Sequence, residues 1–500
     1  MQSTASPAPP ARSSAGDLRR VLPIVGAGAA AGLSSLITTV LVARLLTSRG
    51  YGAFIVLLGL FLVLSMPGSA LLVAVVRRIT TWESEGRGER IHGWVVRVHR
   101  VGTVAVVVLA LAIWLVRAPL ISLLSLPGPG GVVEILTAAG IWVLVSIDRG
   151  LLQARQDYRN LSVNLVLEAV TRTAFTIGLA AAWGVTGAAF GVLIGELVTA
   201  VHARVTAMAA LARRPAGPGA DSVTAGVPAG VALDAGDLGT GDLDAGDLDA
   251  GDLEEPDAAR FDLHRVGSGG PASAHTGRHL AADMAAALIG LGLLAVLQNA
   301  DVIGLGSQAP HRSGSYAAIS VPAKALVYGA LVFVNYLLPE SAIRWHQGSH
   351  ALRQLAHTLL ILALPAAALL AVAAAVPRTL LDVVFGAKLA AAAPAFATLV
   401  LAMICLCVTV VLTVYLLGVG WRWIVVLLAA GTGALIVFTL RAHGQYLATA
   451  RTDLVIQALL ALSATAALVA VHRRAGRHWL PAEGDAEGGA APADEVRPAR

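Results

Sequence analysis

The sequence predicts an all-α polytopic membrane protein. It has about twelve transmembrane helices in two pseudo-symmetric six-helix bundles around a central cleft. Three observations predict this. Charged residues are only 13% of the 500, against roughly 25% in soluble domains, while 56% are hydrophobic and mean hydropathy is +0.74. Apolar runs that match the roughly 20 residues of a membrane-crossing helix recur along the chain. They are interrupted once, near the middle, by a long polar stretch with a similar number of runs on each side.

The clearest element is Val40 to Leu60, where two apolar segments meet across the short joint Thr47-Ser48-Arg49-Gly50-Tyr51-Gly52. A joint this short makes a tight helical hairpin. Before it, Met1 to Asp17 is rich in Ser, Pro and Ala, and is expected to be disordered. Arg19-Arg20 ahead of an apolar run resembles a secretory or twin-arginine signal, but the run outlasts the 7–15 residues of a signal core, so it reads as an uncleaved first helix. The apolar segments fall at about 21–46, 51–76, 94–116, 131–153, 160–183 and 185–211, then at about 279–300, 314–338, 352–376, 391–417, 420–440 and 450–472.

Arginine placement sets the orientation. Arg12, Arg19, Arg20, Arg77, Arg78, Arg87, Arg90, Arg149, Arg155, Arg159, Arg204, Arg213, Arg214, Arg344, Arg353, Arg422, Arg473, Arg474 and Arg477 fall in alternate connections. The other connections carry far fewer, such as Arg49, Arg117, Arg312 and Arg378. The positive-inside rule then places both termini in the cytoplasm and the Arg49 joint outside, in a cytoplasmic (plasma) membrane. The net charge of +5 is spread over these turns and gives no nucleic-acid surface.

The interruption, Pro215 to Thr276, contains the pentapeptide series LDAGD, LGTGD, LDAGD, LDAGD, LEEPD from Leu233 to Asp257. Its low apolar content and repeated acids predict a disordered linker. Its spacing fits neither the EF-hand loop nor the nonapeptide calcium repeat. The only cysteines, Cys405 and Cys407, sit in an apolar run and read as small core residues, and no metal-ligand set or cofactor is implied. The expected organisation is a disordered cytoplasmic N-terminus (1–20), a first bundle (21–211), an acidic cytoplasmic linker (212–277), a second bundle (278–474) and a disordered cytoplasmic tail (475–500).

The two halves echo one another. Ser48-Arg49-Gly50-Tyr51-Gly52-Ala53 in the first half matches Arg312-Ser313-Gly314-Ser315-Tyr316-Ala317 in the second. Both first helices start on the same side, which makes a parallel repeat and leaves a cleft between bundles. The run Ala43-Arg44-Leu45-Leu46 followed by Tyr51-Gly52 resembles the first hairpin of the polysaccharide-export (Wzx-like) flippases, members of the multidrug/oligosaccharidyl-lipid/polysaccharide exporter superfamily. Asp301, Gly314-Ser315-Tyr316-Ala317 and Leu337-Leu338-Pro339-Glu340-Ser341 resemble that family's D…G-x-Y-x-A…L-P-x-x-S pattern. The chain departs in its Thr-Ser-Arg turn, where the family commonly has a Gly/Thr-Pro-Glu-Glu-like cluster, and in its long linker. The resemblance implies a transporter, not an enzyme. Its substrate would be a polyprenyl-linked glycan moved across the membrane, and its partners membrane lipids and other polysaccharide-assembly proteins.

Charges inside the spans are costly and mark candidate sites. Glu168 and Arg172 lie four apart on one helix face and should pair. Arg172, Lys324, Arg44 and Glu168 are the candidates for binding a pyrophosphate-linked head group in the cleft. Glu196 and Asp283 are candidates for coupling to H⁺ or Na⁺. Asp283 and Asp301 are alternative counter-charges for Lys324, with Asp301 nearer the outer rim and open to solvation. Arg149 and Arg155 are expected at the cytoplasmic gate or lipid headgroups. Two other functions stay open. One is an ion-coupled multidrug antiporter of the same superfamily, with Glu168 and Glu196 as its acidic site. The other is a polyprenol-dependent membrane glycosyltransferase, which the acid-free first external joint disfavours.

Overall fold

The computed structural model describes residues 14–128, 130–212, 274–346, 351–418 and 420–477. The expected linker and both expected tails lie mainly outside these residues. Among the described residues every regular element is helical. The first half runs α1 (Ser14–Leu45), α2 (Ser48–Ser84), α3 (Glu89–Leu115), a short α4 (Arg117–Leu123), α5 (Val132–Ala154) and α6 (Tyr158–Ala212). The second runs α7 (Ala274–Gln308), α8 (Pro310–His346), α9 (Ala351–Ala375), a short α10 (Pro377–Val384), a 3-10 turn (Ala387–Ala395), α11 (Phe396–Gly418), α12 (Trp423–Arg441) and α13 (Tyr446–Arg477). Nine described helices are long and apolar enough to cross a membrane, and α9 with α10, bent by 98°, makes a tenth, broken one.

α6 is two arms of a hairpin. Trp183 (φ −129°) and Gly184 (φ +62°, ψ −136°) leave helical geometry, and Gly184 takes a conformation open to a residue without Cβ. The arms then pack backbone to backbone. A Cβ on Gly187 would lie 1.9 Å from the Leu179 carbonyl oxygen. One on Gly191 would lie 2.4 Å from Thr176 backbone, and one on Gly195 2.7 Å from the Arg172 Cα. Three glycines spaced by four present a flat face, the small-residue packing that membrane helices use in place of a hydrophobic drive. With the α6 arms counted separately and α8 included, the described residues hold twelve long helical segments, as many as the apolar runs predict.

The repeat extends through each half. In both, three long helices are followed by a short one and then by a central helix. α2 packs on α5 as α8 packs on α11, α1 on α6 as α7 on α12, and α3 on α5 as α9 on α11. α5 and α11 are the most buried spans of their halves. Side chains such as Leu136, Ala138, Ala139, Leu399, Val400 and Met403 fill the core around them.

Among the described residues α2 is the only first-half helix that packs extensively on the second half, against α7 and α8. The two matching joints sit directly on each other. A Cβ on Gly52 would lie 1.9 Å from Ser313 Oγ and 2.5 Å from the Gly314 nitrogen, and one on Gly314 would lie 2.0 Å from the Ser48 carbonyl oxygen. Tyr51 and Tyr316 are fully buried there. They are core residues. Nearby, the Arg44 guanidinium donates to the Val383 and Val384 carbonyls at the end of α10, the latter at 3.2 Å. Lys388 Nζ donates to the Arg44 and Leu46 carbonyls at the end of α1, at 3.0 and 2.6 Å. Each half thus lends a cation to the carbonyl end of a helix in the other, where the helix dipole is negative. Ser125 Oγ donates to the Ser307 carbonyl at 2.7 Å across the same seam.

A side chain at Gly314 would separate these joints. Spin labels at positions 49 and 312 are expected to report a longer distance in Gly314→Val than in the wild-type background. Identical distance distributions would contradict this account of how the halves close.

Candidate functional site: a buried ion network in the first half

The α6 hairpin and α5 gather four ionised side chains at mid-helix depth. Gly195, lying on Arg172, fixes the register of the arms and brings the next residue, Glu196, to the Arg172 guanidinium. Arg172 also binds Glu168 one turn away. Glu168 in turn binds Arg149 of α5 through its other oxygen. Arg149 Nε donates to Asn164 Oδ1 at 2.7 Å, and Asn164 Nδ2 donates to the Thr199 carbonyl at 3.0 Å and lies 3.1 Å from His202 Nδ1. Two guanidinium and two carboxylate groups balance. A neutral, mutually bonded set is the form in which charges survive burial.

Exposure is uneven across this network. Side-chain exposure is 29% for Arg172, 12% for Glu168, 7% for Arg149 and 0% for Glu196. Arg172 is thus the most exposed member, although its Nε is buried without a partner and its other bonded nitrogen holds both carboxylates. Arg172 also stands 5.6 Å from the ring centroid of Phe61 on α2, the helix that faces the second half. Next to it, the hydroxyls of Ser34, Thr38 and Thr173 form a polar seam between α1 and α6, at 2.5 and 2.7 Å. Glu196 Oε2 is buried with no hydrogen-bond partner.

Toward the arginine-rich end lies a second layer. Asp148, 1% exposed, binds Arg204 at 3.1 Å and lies 3.6 Å from His99 Nδ1. Beyond it Arg155 binds Glu83 at 2.9 Å, tying the end of α5 to the end of α2.

The placements differ from several expectations. Glu168 and Arg172 pair as their spacing predicts, and Glu196 joins them. Arg149, expected at the gate or headgroups, is buried inside the network because Asn164 and Glu168 satisfy it. Arg155 lies nearer the expected end but is engaged within its own half. Arg44, expected in the cleft, is at the joint seam, far along the chain's packing from Arg172. Lys324, also expected in the cleft, is 5% exposed and bonded to Asp301 Oδ1 at 3.1 Å inside the second half. Asp301 is fully buried, not solvated at a rim, since Lys324 neutralises it. The Asp283 side chain lies outside the described residues. Arg204, expected in a cytoplasmic connection, pairs with buried Asp148. Missed in the sequence were Asn164, Asp148 and the Gly187-Gly191-Gly195 series. That series, at a period of four, was the legible signal for which face of the second arm meets the first. Among the described residues no group of three or more His, Cys, Asp or Glu side chains is placed to hold a metal.

The whole-chain architecture has counterparts among solved structures. An inward-facing multidrug resistance MATE family transporter of the MOP superfamily superposes with a TM-score of 0.61 at 13% identity, covering 89% of this chain and 96% of that one. The fold is that of the MATE transporters. A mutant of the Vibrio cholerae MATE transporter VcmN matches with a TM-score of 0.54 at 13% identity, over 91% of this chain and 96% of that one. A MOP superfamily transporter from Pyrococcus furiosus, described as having a binding pocket of reverse polarity, matches at 0.52 and 15% identity over the same shares. No protein-family model and no curated protein matches the sequence.

Removing Glu168 leaves the buried Arg149 guanidinium without its carboxylate, and the set with one excess positive charge. Glu168→Ala is expected to cost roughly 3–5 kcal/mol of stability, the usual cost of breaking a buried pair. Glu168→Ala combined with Arg149→Leu should recover much of it. Thermal unfolding in detergent checks this, and a single variant that melts like wild type would contradict the network's role.

Proposed function

We propose that this chain flips a polyprenyl-(pyro)phosphate-linked sugar or oligosaccharide across the cytoplasmic membrane by alternating access, for surface or cell-wall polysaccharide assembly. The fold supports a membrane transporter. The observation that carries the finer reading is the polarity of the ion network. Arg172 is the most exposed side chain of the set, while Glu196 is fully buried and Glu168 nearly so. A guanidinium presents a planar fork suited to phosphate oxygens. A site for cationic drugs would present the carboxylates instead.

The positive-inside rule puts the joints outside and the arginine-rich ends in the cytoplasm. Closed joints then correspond to a state open to the cytoplasm, where a lipid-linked glycan is made. The head group would enter between the halves and meet Arg172, and the polyprenyl tail would stay in lipid. Opening requires the joints to part and the Arg44 and Lys388 contacts to break. Glu196, with one unpartnered oxygen, is the group placed to take up H⁺ or Na⁺ when substrate draws Arg172 away.

The test separates structure from transport. Arg172→Gln with Glu196→Gln keeps the network neutral, so the protein should remain in the membrane at wild-type level. Surface glycan should nonetheless be lost in cells that depend on this chain, while dye efflux stays unchanged. Normal surface glycan with a folded double variant would overturn the assignment of Arg172. Loss of dye efflux instead would favour the antiporter.

A further inference from the structure

The second half buries a separate set of charges that the transport step above does not use. Asp301 on α7, Lys324 on α8 and Asp453 on α13 are 0%, 5% and 0% exposed. Lys324 Nζ donates to Asp301 Oδ1 at 3.1 Å. Asp453 lies within electrostatic range of both Asp301 and Lys324. Its Oδ1 accepts from Gln457 Nε2 at 3.2 Å, and the same amide reaches the Leu297 carbonyl at 3.4 Å. Asp453 Oδ2 is buried with no hydrogen-bond partner. The pocket therefore holds two carboxylates, one ammonium and one amide, brought together by three helices.

An ammonium is a compact point charge. In a dry pocket it satisfies a carboxylate much as a small monovalent cation would. The difference is that Lys324 is tethered and cannot leave. We propose that Lys324 is a built-in counter-ion that fills the cation position beside Asp301, with Asp453 close by, and so makes the second half of this chain indifferent to sodium. Lys324 is on this account a specificity-determining residue for ions, whatever substrate the first half binds. Without it, two carboxylates and one amide would remain in a pocket closed to bulk water. Such a set draws in a free cation, because uncompensated buried charge is strongly unfavourable.

The inference predicts a gained response. The purified full-length chain is melted in sodium, lithium, potassium and choline chloride at equal ionic strength, and radioactive sodium binding is measured. Wild type should show no sodium binding, and no sodium-dependent rise in midpoint, that Asp301→Asn removes. Lys324→Ala and Lys324→Gln should melt lower in choline and rise by several degrees in sodium or lithium, saturably, with one sodium bound. Adding Asp301→Asn should abolish that rise. A variant that can be recovered folded only with sodium present would also support the proposal. It is overturned if wild type binds sodium in a way that Asp301→Asn removes. It is equally overturned if the Lys324 variants fold but ignore every cation, or stay unfolded in all four salts.

Discussion

A charge within a lipid-embedded bundle has no bulk water to solvate it, and the first half meets that constraint with one closed network. Arg149, Glu168, Arg172 and Glu196 are neutral as a set and bonded in a chain. The rest of the half follows from bringing them together. Gly184 reverses α6, and Gly187, Gly191 and Gly195 let the arms touch, which sets Glu196 against Arg172. α5 must be almost wholly buried to bring Arg149 to the same point. The buried Phe61 of α2 stands beside Arg172, its ring centroid 5.6 Å from the guanidinium carbon.

The second half repeats the architecture but not the electrostatics. Its buried set is centred on Lys324, a tethered cation paired with Asp301, and among the described residues no arginine takes a comparable place. The matching joints thus meet at the seam, while the buried charges of the two halves differ. At the seam, Gly52 meets Ser313 and Gly314, and Arg44 and Lys388 reach across to opposite helix ends. Hydrogen bonds to carbonyls at helix ends are modest individually. A seam built from several of them, with close backbone contact, can hold and still release, which alternating access requires.

Much of this was legible in the chain. Long apolar runs and one polar break are strong signals, and they located twelve helical segments in two halves. The matched Gly-Tyr joints revealed the repeat, though not that the joints lie on each other, because that contact joins residues some 260 apart. Glu168 and Arg172 were legible because one turn separates them. Arg149 was misread because arginine near the end of a span normally reaches headgroups, and its actual partners come from packing alone. Lys324 was recognised as buried at mid-span but assigned to the cleft, since nothing in the sequence shows which face of α8 meets Asp301. Asp453 and Gln457, four apart on α13, carried a pattern of their own that pointed to a shared face.

The account's central claim is that an anionic, lipid-linked head group is what Arg172 awaits. The most direct measurement uses proteoliposomes holding the purified chain and a polyprenyl-pyrophosphate-linked sugar confined to one leaflet. An impermeant lectin on the other side reads its appearance there. The account predicts lectin binding that rises with time in liposomes containing the protein and stays flat in empty ones. No rise, in liposomes where an imposed ion gradient still drives efflux of a cationic dye, would contradict it.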